Sequence, residues 1–473
     1  MERRITALTE KGLKRIQHAS LEVLREVGVA FHDPEALAIF KKHGVKTEGK
    51  TVFLEERHVA RALESAPSRF TLSARNPERD VVIGGRSSAL VPAYGAPFMV
   101  TETGEQRKAT MEDYRCFCKL VQTSEYINMN GFLMVEPTDV PPETAHLDML
   151  YWGIVLCDKP FMGSPISREA AIDAVEMGGI AFGGKDKIRD KPVMISLITP
   201  LSPLQYSAEM AGALIEFARW GQPLLIADLV MAGSSGPMTP AGLLALQSAE
   251  ILAGITLAQL IRPGLPVVYG GILCPTDMRT GTLAIGAPET SMMIPATAQL
   301  ARFYGLPARG GGALTDAHVP DMQAGIESTL ALVTAAMSGV HFVLHACGIM
   351  GSFMAMSYGK FLADEELCGM VLRAVEPIDT SDKAIDVETI KQVGIGGEYL
   401  THPSTLDHCR TGFFLPRLAN RQDYVNWNAS GRKTLEERAR ALVPQRLAAY
   451  RKPEIDPQIE KDLSRYLARR KRG

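Results

Sequence analysis

The chain has 473 residues, 46% hydrophobic and 22% charged, with 42 Gly and 29 Pro, the usage of one large or two ordinary globular domains and not of a disordered or fibrous chain. Lys plus Arg total 51 against 53 Asp plus Glu, a formal charge of -2, so the whole-chain electrostatics argue against nucleic acid or an anionic membrane as partner. Seven scattered Cys, no leader-like start and no uninterrupted apolar run of about 18 to 20 residues predict a reduced, cytoplasmic protein.

Thr9 can cap a helix running through Val27, and Asp33 followed by Pro34 opens a second that stops before Gly44. Leu54 to Ser65 is a third. Between Arg69 and Arg107 the pattern turns to short apolar or β-branched runs, and PAYGAPFMVTETGE (92–105) predicts a hairpin ending near Gly104. Residues 1–110 therefore read as an N-terminal helical and hairpin layer.

From Thr110 the chain alternates helix with short apolar strand. Strands are predicted at 127–135, 160–164, 192–198, 223–230, 266–271, 306–311 and 340–347, with helices at 142–157, 167–181, 206–220, 240–261, 289–304 and 321–338. This rhythm predicts an α/β fold with a parallel sheet, closed as a TIM (β/α)8 barrel over 111–410. The eighth strand falls at 374–378 or 397–401, and an open doubly wound sheet is the architectural alternative. The apolar helix 240–261 carries Gln247, Glu250 and Gln259, which mark it as a core helix. Residues 411–473 form a C-terminal helical extension with helices at 432–450 and 456–470, and the basic end RRKRG reads as a solvated face that suits the helix dipole. The long apolar helices and 21 Met make a homo-oligomer the expected state, although Met in helices is more often core filling.

Several motifs fail. Gly179, Gly184 and Lys185 have the spacing of a phosphate loop, but Asp186 replaces the Ser or Thr that holds magnesium and a helix precedes them. Gly310, Gly311 and Gly312 lack the GxGxxG spacing and point to a tight turn or a close approach. His341 and His345 lie in a strand, about 13 Å apart at roughly 3.3 Å per residue, so they cannot share a metal. His402, His408 and Cys409 are a looser set, read as a polar loop, and no tightly bound metal is expected.

In a barrel, reactive residues belong at the C-terminal strand ends. That filter selects Asn130, Ser164, Thr199, Asp228, Tyr269, Arg309 with Asp316, and His345. Asp228 ends an apolar strand, where an ionised carboxylate needs a partner or a cationic ligand. His345 is followed by the small residues Ala346, Cys347 and Gly348, and Tyr94 sits among Pro92, Ala93, Gly95, Ala96 and Pro97. Each is also compatible with ordinary packing.

The segments PAYGAPFMVT, GGGALTDAHVPDMQAGIES (from Gly310) and GVHFVLHACGIMGSFMAMSYGKFLADEE (from Gly339) resemble the trimethylamine methyltransferase family over nearly the whole chain. The resemblance implies a TIM barrel that passes a methyl group from a methylated amine to the Co(I) corrinoid (cobalamin) of a separate small protein. The archaeal trimethylamine enzymes carry pyrrolysine; this chain has only ordinary residues, and so is similar to the non-pyrrolysine branch, most of all to glycine betaine:corrinoid methyltransferases. That likeness implies Tyr94 and His345 as catalytic residues, with Asp228, Tyr269 and Asp316 as substrate-binding candidates. Alternatives are the same chemistry on proline betaine or carnitine, or a betaine-binding subunit without turnover.

Overall fold

The computed structural model describes residues 5–101 and 104–472. Its centre is a ring of eight short parallel strand positions. Phe161–Met162 pairs with Met194–Ile198, which pairs with Leu224–Ile226 and then Val267–Tyr269. Tyr269 bridges Ala308, next to Arg309–Gly311, which pairs with Phe342–Leu344. The ring closes through Ala89–Leu90, parallel to Phe342–Leu344, with Val91 N–H donating to Val343 O at 2.9 Å. On its other side Asn128 N–H donates to Leu90 O at 2.9 Å, and Asn130 bridges Phe161.

The barrel's remaining strand is thus the first in the chain, at 89–90, and neither 374–378 nor 397–401 forms one. Residue 375 ends a helix, and both segments are exposed, whereas barrel strands are buried on both faces. Counted from 89, eight strand positions alternate with eight helices: Met111–Thr123, Pro142–Leu156, Arg168–Ala181, Ala208–Arg219, Pro240–Ile261, Pro288–Phe303, Met322–Met337 and Tyr358–Val375. The hairpin expected at 92–105 is Phe98–Val100 with Gln106–Lys108; Glu102 and Thr103 lie outside the described residues. Pro92 to Ala96 instead leads away from the first barrel strand.

The N-terminal helices Glu10–Glu26, Pro34–Lys42 and Glu56–Ser65 cover Pro240–Ile261. That helix is the one among the described residues long and apolar enough to cross a membrane, and the layer above it explains why it lies buried inside the protein. Helix Leu435–Ala449 packs on Tyr358–Val375, and Pro457–Arg470 packs on Arg168–Ala181. The basic end is not a free solvated face. Asp173 is fully buried and accepts from Tyr466 Oη and Arg470 Nε at 2.6 Å and from His146 Nε2 at 2.9 Å. Lys471 pairs with Asp148 at 2.6 Å. A carboxylate taken out of water needs such partners, and they dock the last helix.

The loop after the eighth strand is tied down in the same way. Buried Lys360 donates to Asp364 at 2.6 and 2.8 Å and to Ser328 Oγ at 3.0 Å, while Asp364 accepts the Gly348 N–H at 2.8 Å. Removing one partner leaves an uncompensated buried carboxyl, so Lys360→Met is expected to lower unfolding free energy by about 3–5 kcal/mol. Urea denaturation measures this, and Lys360→Met with Asp364→Leu is expected to recover most of the loss.

Candidate functional site

Face parity decides which side chains reach the barrel interior. Successive residues of a strand point to opposite sides, and paired residues in register share a side. Gly254, on helix Pro240–Ile261, lies against Ile226, so Ile226 points outward to the helices. Its register partners Ile198 and Tyr269, and Ala308 bridged to Tyr269, point outward too. Leu197, Leu225, Val268, Arg309, Phe342 and Leu344 then line the inside. Leu197 is only half-buried.

Among these apolar walls Arg309 is the ionisable side chain. It is 4% exposed, and its Nε and Nη1 have no hydrogen-bond partner. Burial pulls the guanidinium down to about 10, with Asp228 acting weakly in the opposite direction. An uncompensated buried cation is costly, and its natural complement is an anionic ligand. Ser164, opposite in parity to Gly163, whose side-chain direction runs into Phe217, also faces inward with an unpartnered hydroxyl.

His345 stands just past the eighth strand with φ +63°, a left-handed conformation that a non-glycine residue adopts at a cost of about 1–3 kcal/mol. Four contacts impose it. Its N–H donates to Pro92 O at 3.3 Å, Ala346 N–H to Val91 O at 2.8 Å, and Ala313 N–H to His345 O at 2.9 Å; Tyr94 N–H donates to His345 Nδ1 at 3.2 Å. Gly312 explains the glycine triplet: a Cβ there would stand 2.6 Å from the Ala346 backbone, so the loops after the seventh and eighth strands touch main chain to main chain. With Nδ1 accepting, the ring proton sits on Nε2. Burial, and then Arg309, hold His345 well below its ordinary 6.5, so the imidazole is neutral.

Tyr94 is carried by Pro92–Ala96, laced between Cys347 O and Leu133 O. Its ring is half-buried, and crowding raises its phenol above the usual range. Phe353, also at positive φ, lies 4.8 Å from the His345 ring. Asp316 braces that loop: it accepts from Ser352 Oγ at 2.6 Å and from the Ile285 and Gly286 N–H groups at 2.9 Å.

The structure therefore brings together Tyr94 and His345, adds Arg309, and leaves other candidates apart. Asp228, two residues beyond outward Ile226, accepts from Gln247 Nε2 at 2.8 Å and faces helix Pro240–Ile261. Burial and Glu250 push its carboxyl well up, so it is a neutral acid beside Glu250 and not a partner for a cation inside the barrel. Tyr269 packs tilted against Tyr304, centroids 5.5 Å apart, in the same outer layer. Asn130 likewise faces outward, donating to Gly153 O at 3.2 Å. Thr199 is half-buried in the loop after its strand. His341 accepts from Ala308 N–H at 2.9 Å at the opposite end of its strand. Lys185 of the false phosphate loop pairs with Glu176 and lies over Trp220. Among the described residues no group of three His, Cys, Asp or Glu is placed to hold a metal.

The strand-end filter selected Arg309 with Asp316, but the resemblance assigned Arg309 no role. The signal was present: an arginine inside LPARGGG, where the neighbouring strand positions are apolar or glycine.

The chain is similar to known proteins over nearly its whole length. The chain is 46% identical to the glycine betaine methyltransferase of Desulfitobacterium hafniense (strain Y51), covering 98% of this chain and 96% of that one. It is 35% identical to the proline betaine:corrinoid methyltransferase of Eubacterium limosum, covering 97% and 96%. The crystal structure of the Methanosarcina barkeri monomethylamine methyltransferase superposes with a TM-score of 0.52 at 14% identity, covering 93% of each chain, and so shares the fold. Residues 2–473 match the family description trimethylamine methyltransferase (MTTB), and the chain belongs to that family.

Proposed function

We propose that this protein is a methyltransferase that takes a methyl group from glycine betaine and delivers it to the Co(I) corrinoid of a separate protein, leaving dimethylglycine. The observation that carries the reading is Arg309, a buried guanidinium with free donors inside an apolar barrel, whose charge is felt by the neutral His345. A quaternary ammonium that also carries a carboxylate fits this pattern. The carboxylate takes charge-assisted bonds from Arg309, with His345 Nε2–H as a second donor and Ser164 as a third. The Tyr94 ring at the mouth offers the onium a cation–π contact, on the order of 0.5–2 kcal/mol.

In this arrangement the carboxylate is fixed deep in the barrel and the methyl groups face the mouth. The methyl carbon passes in line to the reduced cobalt, the carbon–nitrogen bond breaks and the nitrogen keeps the electron pair, so the amine leaves neutral and no general acid is required. The protein's part is to hold the carbon in line. Asp228 faces the helices and Asp316 is engaged by Ser352 and two backbone N–H groups, which suits the reaction: a carboxylate against the onium would favour the charged ground state over a transition state in which the substrate is losing its charge. The loops around the mouth expose Ile166, Leu201, Met238, Met278, Val319 and Met354, an apolar rim suited to a docking protein. Seven free thiols fit a reducing cytoplasm.

Incubating the full chain with Co(I) cobalamin and a panel of methylated amines tests the reading. Methylcobalamin formed from glycine betaine supports it. Activity with proline betaine or carnitine instead would keep the chemistry and enlarge the pocket, in line with the proline betaine relative; activity with trimethylamine alone, or with none of the panel, refutes it. Tyr94→Ala and His345→Ala are each expected to lower kcat/KM for glycine betaine at least tenfold, and either variant with wild-type kinetics removes that residue from the assignment.

The neutral imidazole has a pH signature. Since the folded pKa is depressed below 6.5, the unfolded chain binds a proton that the folded chain refuses. This contribution to stability is present above 6.5 and is lost as pH falls toward the folded pKa. Unfolding free energy measured against pH is expected to fall less steeply below 6.5 in His345→Gln than in wild type; identical slopes would mean His345 is protonated when folded.

A further inference from the structure

Of the seven thiols, Cys347 and Cys368 touch each other, Sγ to Sγ at 4.0 Å, and both are fully buried. Cys347 lies in the loop after the eighth strand, two residues beyond His345, and Cys368 lies on helix Tyr358–Val375. The two segments are tied together on both sides of Cys347. Asp364, one turn before Cys368 and so on the same helix face, accepts the Gly348 N–H at 2.8 Å. On the other side the Cys368 thiol donates to Ala346 O at 3.6 Å. The main chain thus keeps the sulfurs in register, and the 4.0 Å between them is about 2 Å longer than a disulfide bond.

Cys368 is approached from the far end of the barrel. A cavity of about 240 Å³, lined by Gly85, Ser88, Leu332, Val340, Val371 and Cys368 among others, opens beside the starts of the first and eighth strands, away from the mouth. Its walls are mostly apolar, which suits a small uncharged oxidant. Burial pushes the Cys347 thiol well above its usual range and disfavours it as the first nucleophile, so Cys368 meets the oxidant first. From this geometry we infer that Cys347 and Cys368 are a redox pair that closes to a disulfide under hydrogen peroxide and displaces His345.

The chemistry balances with peroxide as the two-electron oxidant. The Cys368 sulfur attacks one peroxide oxygen, the O–O bond breaks, and the departing oxygen leaves as water, taking the thiol proton. The sulfenic acid left on Cys368 is attacked by the Cys347 sulfur; the S–S bond forms, and the second oxygen leaves as water with the remaining proton. Because Asp364 anchors Gly348, the pull on Cys347 passes to Ala346 and His345, whose bonds to Val91 O and Pro92 O and from the Tyr94 N–H lie on the side away from the helix. The same oxidants consume a reduced cobalt acceptor, so the pair stops substrate binding when no acceptor remains. That purpose rests on the proposed reaction; the disulfide does not.

Peptide mapping of the reduced full chain after hydrogen peroxide treatment tests the inference. A peptide joining 347 to 368 is expected, and dithiothreitol is expected to abolish it. In the joined form the amides of 345–348 are expected to exchange hydrogen faster, and glycine betaine affinity by titration calorimetry is expected to fall at least tenfold, while peroxide-treated Cys368→Ser keeps its affinity. No joined peptide, or these thiols found only as separate sulfinic or sulfonic acids, overturns the inference. So do unchanged exchange at 345–348 or unchanged affinity in the joined form, and a folded Cys368→Ser chain that loses affinity as the wild type does. A reduced wild type that binds no glycine betaine contradicts the proposed function instead, and the map and the exchange then decide the redox pair alone. Both are read on the wild type, so they also decide it if Cys368→Ser fails to fold.

Discussion

A positive charge buried without a partner inside an apolar barrel is the constraint on which the site depends. By register Arg309 shares the inner face of the barrel with Leu197, Leu225, Val268, Phe342 and Leu344, and two of its nitrogens have no acceptor. Burying an ion costs several kcal/mol, and the fold carries that cost where a ligand can repay it. Burial first, and then the same cation, lower the pKa of His345 and keep the imidazole neutral. In the proposed reading, one charged donor and one neutral donor serve the substrate carboxylate.

The rest of the mouth holds that pair in place. His345 is kept at positive φ by the backbone of Pro92 and Tyr94 on one side and of Gly312 and Ala313 on the other. The Lys360–Asp364 pair fixes the Gly348 N–H, and Asp316 with Ser352 fixes the loop that brings Phe353 against the imidazole. The strained conformation of His345 is thus held by three braced loops. A site that transfers a carbon in line depends on that restraint more than on any acid or base.

The alternation of helices and apolar strands was legible because βα units repeat both a period and a length, and seven of the eight strand positions lie within the predicted segments. The first strand, at 89–90 with Val91 alongside, was hidden: its run is short and a hairpin separates it from its helix. Site residues at strand ends were harder, since sequence gives alternation but not parity. Asp228 and Tyr269 end apolar strands as expected, yet their register with Ile226 turns both toward the helices. The basic C-terminus looked solvated because its acceptors, Asp173 and Asp148, lie some 300 residues away; only the packed helices reveal the pairing. Tyr94 and His345 were found by resemblance, and the structure supplies a physical reason for their association in the 3.2 Å bond between them.

The central claim is that the buried guanidinium selects a zwitterion. Titration calorimetry of the wild type and of Arg309→Met with glycine betaine and with choline, the same trimethylammonium without a carboxylate, tests it most directly. The account predicts that the wild type prefers glycine betaine by roughly 10- to 100-fold, the worth of a hydrogen bond to a charged group, and that Arg309→Met abolishes the preference while choline binding is unchanged. Equal affinity of the wild type for the two ligands, or an unchanged preference in the variant, would contradict it.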